Sequence, residues 1–306
     1  MKDLILILLV ACLINTGCST GKQAADDPMH LGFLQYAMQT DPSAESRRQY
    51  MEALRTAIQS AESAQRRVPP GLHAELGYLQ SRQGLTDQAR ANFRQERILY
   101  PEASYFLDRL TATQEGEASP ASSPQIPVQR SGVVVILPPV VEESNTAEAR
   151  DILLYSLRHP LIEAGYYVVP PSIVMDVLQS EGLLNTRLYM DGTMKGFREA
   201  FGADAVLIPE ILEWEKKFAG EASELVIDLR AKLKSTISDQ ILWAGQGKVR
   251  ADLLTSSLTG ASVEDVLYQS RVLELSTIAT NYWDYVGKAN RRLLEDLPPG
   301  PYAGTP

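Results

Sequence analysis

Residues 133–137, Val-Val-Val-Ile-Leu, form a run of five apolar and mostly β-branched positions. Such a run fits a strand buried on both faces, as in a sheet covered by helices. Pro138 and Pro139 follow, and because neither can donate to a ladder the strand is expected to stop there. Residues 148–164 then show helical spacing and end at Gly165. Residues 166–169 are a second apolar strand, closed by Pro170 and Pro171. Strand, crossover helix and strand make a βαβ unit.

Beyond it, Ser172 is placed to cap a short helix ending near Ser180, and residues 185–192 read as a loop. A helix over 194–201 ends at Gly202. Residues 205–208 give a third buried strand, with Pro209 as its stop. Ile227, Leu229, Ala231 and Leu233 then alternate with Asp228, Arg230, Lys232 and Lys234. That is the period of a strand with one buried and one wet face, so the four charged residues are candidates for an interaction surface. Residues 238–240 turn this strand into a partner over 241–249, where Gly245 and Gly247 imply a bulge or a close backbone approach. Residues 263–294 read as a long helix with a break near Gly287.

The first third of the chain has helical periodicity. Ser43 is the expected N-cap of a helix through Ala64, with Tyr50, Leu54, Ala57, Ile58 and Ala61 as its apolar stripe. The segment 66–71, with Pro69, Pro70 and Gly71, breaks it. Two helices follow, over 72–83 and 86–99, with Gly84 at the turn and Pro101 after the second. Leu76-Gly77, Ala89, Phe93 and Pro101 stand at the spacing of one degenerate tetratricopeptide repeat. A single repeat cannot bury its own face, so the preceding helix and residues 105–110 are expected to cover it. This region reads as a docking surface.

Residues 113–128 are rich in Ser, Pro, Ala, Gly and Glu, a linker composition. The expected organisation is a signal peptide over 1–17, a tether over 18–28, a helical domain over 29–112, a linker over 113–130, an α/β domain over 131–294 and a tail over 295–306. The fold class is α+β or α/β: a TPR-like α-helical hairpin domain, then a three-layer, mixed β-sheet with flanking helices.

Residues 1–18 decide the compartment. Lys2 precedes an apolar run over 4–14, and Asn15-Thr16-Gly17-Cys18 closes it. The run is shorter than the ~20 residues of a spanning helix, and it reads as a signal peptide. Cysteine after a small residue resembles a bacterial lipobox, in which the thiol receives a diacylglycerol and the cysteine becomes the first residue. Cys18 is the expected acceptor. Cys12, in Leu9-Val10-Ala11-Cys12, is the alternative, closer to the local pattern but leaving a core of only residues 4–11. An ordinary secretory signal containing cysteines is the remaining reading. Ser19, rather than Asp, follows Cys18, which in the sorting of such proteins implies the outer membrane, facing the periplasm.

Both cysteines lie in this segment, so no disulfide is expected in the mature chain. The formal net charge of −9 is spread along the 306 residues and argues against a nucleic-acid partner. No phosphate-cradling or nucleophile-elbow motif is present. His30, His73 and His159 stand on separate segments, so no metal site and no cofactor are expected. Glu142 and Glu143 lie just past the first strand, where open α/β sheets place ligands, and Asp204 begins the third. A hydrolase would have to use these three, and a small-ligand or glycan module would use the cleft beyond Pro138 and Pro170. The expectation is that the protein is not an enzyme.

The stretches 133–139, 161–170 (Leu-Ile-Glu-Ala-Gly-Tyr-Tyr-Val-Val-Pro), 201–207 (Phe-Gly-Ala-Asp-Ala-Val-Leu) and 242–245 (Leu-Trp-Ala-Gly) resemble a family of bacterial lipoproteins of unknown function. One of its members was catalogued as a genome-derived surface antigen. The resemblance implies a fold similar to the N-terminal domain of TolB and the periplasmic domains of CsgG and PelC. Residues 69–78, Phe93-Arg-Gln-Glu-Arg and Tyr100-Pro-Glu-Ala resemble a second small lipoprotein family with a tetratricopeptide-like hairpin. The two families typically neighbour a CsgG-like protein, so the chain looks like a fusion of both. The implied role is a lipid-anchored accessory or scaffold of a CsgG-like secretion or assembly complex. Its implied partners are the membrane, a CsgG-like outer-membrane protein or other envelope lipoproteins, and further copies of itself. The resemblance carries no catalytic residues.

Overall fold

The computed structural model describes residues 28–115, 132–141, 147–180, 193–219, 222–252 and 283–304. Helix α1 (Pro28–Thr40) leads into α2 (Ala44–Ser63), whose N-cap Ser43 accepts a hydrogen bond from the Ser46 amide. The cap removes one of the unpaired amides of the first turn. Tyr50, Leu54, Ile58 and Ala61 form the buried stripe of α2, as the spacing predicts; Met51 joins them, and Ala57 is half-buried. Helices α3 (Leu72–Arg82) and α4 (Thr86–Leu99) pair across a turn at Gly84, which takes φ +76°, and Pro101 opens a 3-10 turn into α5 (Ser104–Glu115). Gly77 lets α3 and α4 close: a Cβ there would lie 2.8 Å from Cε1 of Phe93, which fills the seam.

The sheet contains β1 (Val133–Ile136), β2 (Val140–Val141), β3 (Tyr167–Val168), β4 (Ala205–Ala219), β5 (Ala222–Ser235) and β6 (Ile241–Asp252). Its order is β3-β1-β4-β5-β6, with β2 also on β4; β1 is parallel to β3 and β4, and β4, β5 and β6 are antiparallel. The fold is therefore mixed α+β, with N-terminal helices and a mixed sheet.

Strand β1 ends before the Pro138–Pro139 pair as expected, and a short second strand, β2, follows it. Two sequence expectations are corrected here. Pro209 does not stop β4, which runs on to Ala219. Leu207 accepts a bond from the Leu137 amide, so Leu207 faces β1, and by alternation residue 209 faces the same side. The missing donor of Pro209 thus falls on the edge where β1 gives way to the Pro138–Pro139 break, and β4 continues through its pairing with β5. Finally, the crossover is two helices, α6 (Ala147–Ser156) and α7 (Arg158–Glu163), because Pro160 removes the amide that would bond back to Ser156.

Helix α8 (Pro171–Ser180) and α9 (Lys195–Phe201) complete one side, and the helix over 283–293, α10, the other. Helix α10 runs unbroken through Gly287. Its close approach explains the glycines of β6, since a Cβ on Gly247 would lie 2.5 Å from the Leu293 amide nitrogen. One sheet face packs Val134, Ile136, Leu207, Ile227 and Leu229 against α6, α7 and α10. The other packs Val133, Val135, Tyr167, Val206 and Ile208 against α3, α4, α5, α8 and α9. Among the described residues, the helices of this second face reach no farther than β4. Residues 298–303, read from the sequence as tail, lie on the turn after α7: Gly300 and Tyr302 donate to the carbonyls of Ala164 and Gly165.

Candidate functional site

Two carboxylates are buried where the helical layer meets the sheet. Glu75, on α3, is 0% exposed and accepts bonds from Gln35 Nε2 (2.5 Å), Ser172 Oγ (2.8 Å) and Arg158 Nη1 (2.5 Å). Arg158 also donates to the Pro70 carbonyl. Burial works against the charge of Arg158, but Glu75, Tyr50 and Tyr167 together outweigh it and the pKa is raised. Ser172 thus serves Glu75 rather than capping α8, which begins at Pro171. Glu96, on α4, accepts from the amides of Gly71 (2.7 Å) and Ala74 (3.0 Å) and from the Tyr167 hydroxyl (2.9 Å). Burial pushes its pKa up, against the pull of those three donors. Burial also holds the phenols of Tyr50 and Tyr167 well above their ordinary value.

Glu75 and Arg158 thus tie α1, α3, α7 and α8 together, and Glu96 ties the α3–α4 pair to β3. Helix α3 is buried over residues 72–80, because α2, α4, α8 and the sheet surround it. The flank expected to offer a docking groove is filled by the protein itself. None of Glu75, Glu96 and Arg158 was singled out from sequence as a site residue. No local feature marked them, because each stands in a helix where a charge is ordinary until its distant partner is known.

The predicted charged strand is β5, and its buried face is the one expected. On the other face of this β4–β6 half-sheet Val226 and Asp228 are buried and Arg230 is exposed, and among the described residues no helix packs there. Arg230 makes a bidentate pair with Glu210 on β4, with its Nε 3.0 Å from Oε2 and Nη2 2.7 Å from Oε1. Asp228 is 9% exposed, accepts from Gln246 Nε2 (3.0 Å) and lies 3.2 Å from Lys248 Nζ, which also reaches Glu213 at 2.6 Å. Lys232 and Lys234 continue the row, half-buried. The half-sheet thus presents cross-strand pairs of both signs.

The remaining candidates do not converge. Asp204 accepts from the Val133 amide (3.1 Å) and from Arg198 Nη1 (3.0 Å), which ties β1 to α9. Glu142 and Glu143, Cys18 and Cys12 lie outside the described residues. Pro138, Pro139 and Pro170 are buried, so the strand ends proposed as a ligand cleft are covered. His73 is bonded to Asn92 and His159 to Glu163. Among the described residues no group of three or more His, Cys, Asp or Glu could hold a metal, and no helix is long and apolar enough to cross a membrane.

A mixed sheet packed between helices, with charges spent on structure, defines the class. Residues 127–301, over half of the chain, match the family described as "Putative lipoprotein GNA1162-like", and the chain belongs to that family. Residues 33–110 match DUF4810, a domain of unknown function. The chain is 28% identical over 138 residues to "Putative lipoprotein NMB1124/NMB1162" of Neisseria meningitidis, covering 44% of this chain and 64% of that protein. It thus spans less than two thirds of that relative's length. Among solved structures, lipoprotein GNA1162 from Neisseria meningitidis is 23% identical with a TM-score of 0.36, covering 48% of this chain and 98% of that one. The PelC dodecamer from Paraburkholderia phytofirmans is 13% identical with a TM-score of 0.29, covering 54% and 87%.

Proposed function

We propose that this lipoprotein is anchored by Cys18 in the outer membrane, faces the periplasm, and acts without catalysis as an accessory or scaffold of an envelope secretion or assembly complex. The observation that carries the reading is the half-sheet of β4, β5 and β6. Among the described residues no helix packs on its second face, and its row of Asp228, Arg230, Lys232 and Lys234, with Arg230 paired to Glu210 and Asp228 to Lys248, suits recognition of a polar protein surface better than chemistry. Membership of a lipoprotein family supports the anchor. In this reading residues 1–17 are the signal peptide, 18–28 the tether and 113–130 the connection between the helical and sheet segments. The partner is a CsgG-like outer-membrane protein, another envelope lipoprotein, or a second copy of the chain.

Site-specific photocrosslinking in cells tests it. A photoreactive residue at Lys232 is expected to capture a discrete envelope protein, and one at Arg48, on the exposed side of α2, is not. Capture of nothing from Lys232, in protein shown to be membrane-associated, overturns the scaffold reading.

A further inference from the structure

The β5–β6 turn carries an exposed apolar cluster: Ile237, Ile241 and Leu242 are 62%, 56% and 54% exposed. Regular alternation would send neighbours 241 and 242 to opposite faces. Instead the register jumps, with Lys234 opposite Ile241 and Leu233 opposite Trp243, so Leu242 is the extra residue of a bulge and both side chains project. The turn that displays them is braced. Ser235 Oγ accepts from the amides of Ile237 and Ser238, and Thr236 bonds to the carbonyls of Asp204 and Ala203. Asp239 accepts from the Met194 amide (2.6 Å) and the Thr193 hydroxyl (2.9 Å), which holds its carboxylate against the start of α9.

The chain enters the fold at the same end. Helix α6 descends through α7 to the start of β3. Tyr36 lies beside Glu148 at the beginning of α6, whereas a Cβ on Gly32 would lie 3.1 Å from the carbonyl of Tyr155 near its end. Helix α1 is thus antiparallel to α6, and Pro28 stands at the end of the sheet where β1, β3 and β4 begin. The β5–β6 turn is also there, because Ser235 pairs with Ala205, the first residue of β4. From Cys18 to Pro28 the chain spans at most about 35 Å.

We propose that Ile237, Ile241 and Leu242 form a second membrane contact, inserted among lipids beside the anchor and turning this end of the sheet to the bilayer. The proposal rests on Cys18 being the anchor. Three side chains give weak adsorption alone, but a tether that confines them near the surface raises their effective concentration. The β4–β6 half-sheet would then stand along the membrane normal, its charged face turned sideways to partners.

The test uses the full lipidated chain on phosphatidylethanolamine–phosphatidylglycerol vesicles, labelled with an environment-sensitive fluorophore at Ser238→Cys or, at the opposite end, at Glu148→Cys. The mature chain has no cysteine beyond residue 18. The expected result is a blue shift and loss of iodide quenching at 238 only, both abolished by Ile241→Asp with Leu242→Asp. The same probes on residues 19–306, held by an N-terminal histidine tag on nickel-chelating lipid, separate the two readings. Failure of the lipidated chain to float with vesicles, while the tagged chain still shows the shift at 238, removes the anchor and keeps the contact. A label at 238 that stays aqueous on the tagged chain overturns the contact.

Discussion

Replacing Arg158 by methionine isolates the joint between α3 and α7. The substitution leaves Glu75 fully buried with only the Gln35 amide and the Ser172 hydroxyl as donors. At a separation of ~4 Å and an effective dielectric constant of ~20, the lost attraction is about 4 kcal/mol. Breaking one side of a buried pair costs about 3–5 kcal/mol for the same reason: the survivor keeps its charge without its partner. Glu75→Leu alone strands Arg158, which keeps only the Pro70 carbonyl, and should cost a similar amount. The double variant removes both charges and should lie about 1–2 kcal/mol below the parent, which makes the coupling at least about 4 kcal/mol. Urea unfolding of the mature chain measures all four corners of the cycle, with m reporting whether helices and sheet still unfold together. Additivity within about 0.5 kcal/mol would refute the argument, because it would mean the two charges do not meet inside the protein.

The glycines give opposite signs. Gly247→Ala drives a Cβ into the backbone of Leu293 and should destabilise by about 3 kcal/mol, whereas Gly196→Ala meets nothing within 4 Å and should stabilise α9 by about 0.5–1 kcal/mol; thermal unfolding of both checks this. Asp204→Ala strands the Val133 amide and Arg198, and should cost about 1–3 kcal/mol by the same measurement. Burial raises the phenols of Tyr50 and Tyr167 well above 10.0 and pushes Tyr78 up to about 12. Groups with a raised folded pKa contribute stability that is present below the unfolded value of 10.0 and lost as pH rises past it. In an alkaline titration read by tyrosinate absorbance, these three should therefore be among those of the 13 tyrosines that ionise late, with unfolding, together with Tyr100 and Tyr155, which burial also raises; early ionisation of all 13 in the folded protein would contradict their burial.

Much of the fold was legible because it is written in local periodicity. The α2 stripe with its Ser43 cap, the α3–α4 pair closed by Gly77 and Phe93, and the β5–β6 hairpin with glycines under α10 all follow from spacing of 3.6 or 2. What was illegible depends on a second segment. Pro209 reads as a stop until the break in its neighbouring strand is known. Pro160 was passed over inside an amphipathic stretch whose overall pattern survives the kink. Glu75 and Glu96 look like ordinary helix charges, since nothing local says that Arg158 and Tyr167 wait 83 and 71 residues away. The charged face of β5 was readable, but the pairing of Arg230 with Glu210 was not.

The anchor is the premise on which both the scaffold and the membrane-facing turn depend. Mass spectrometry of the N-terminal peptide from protein isolated from bacterial membranes tests it directly. The account predicts a peptide beginning at Cys18 with a diacylglycerol on its sulfur. A chain that retains residues 1–17 without lipid, or one that begins at Cys12, would contradict it.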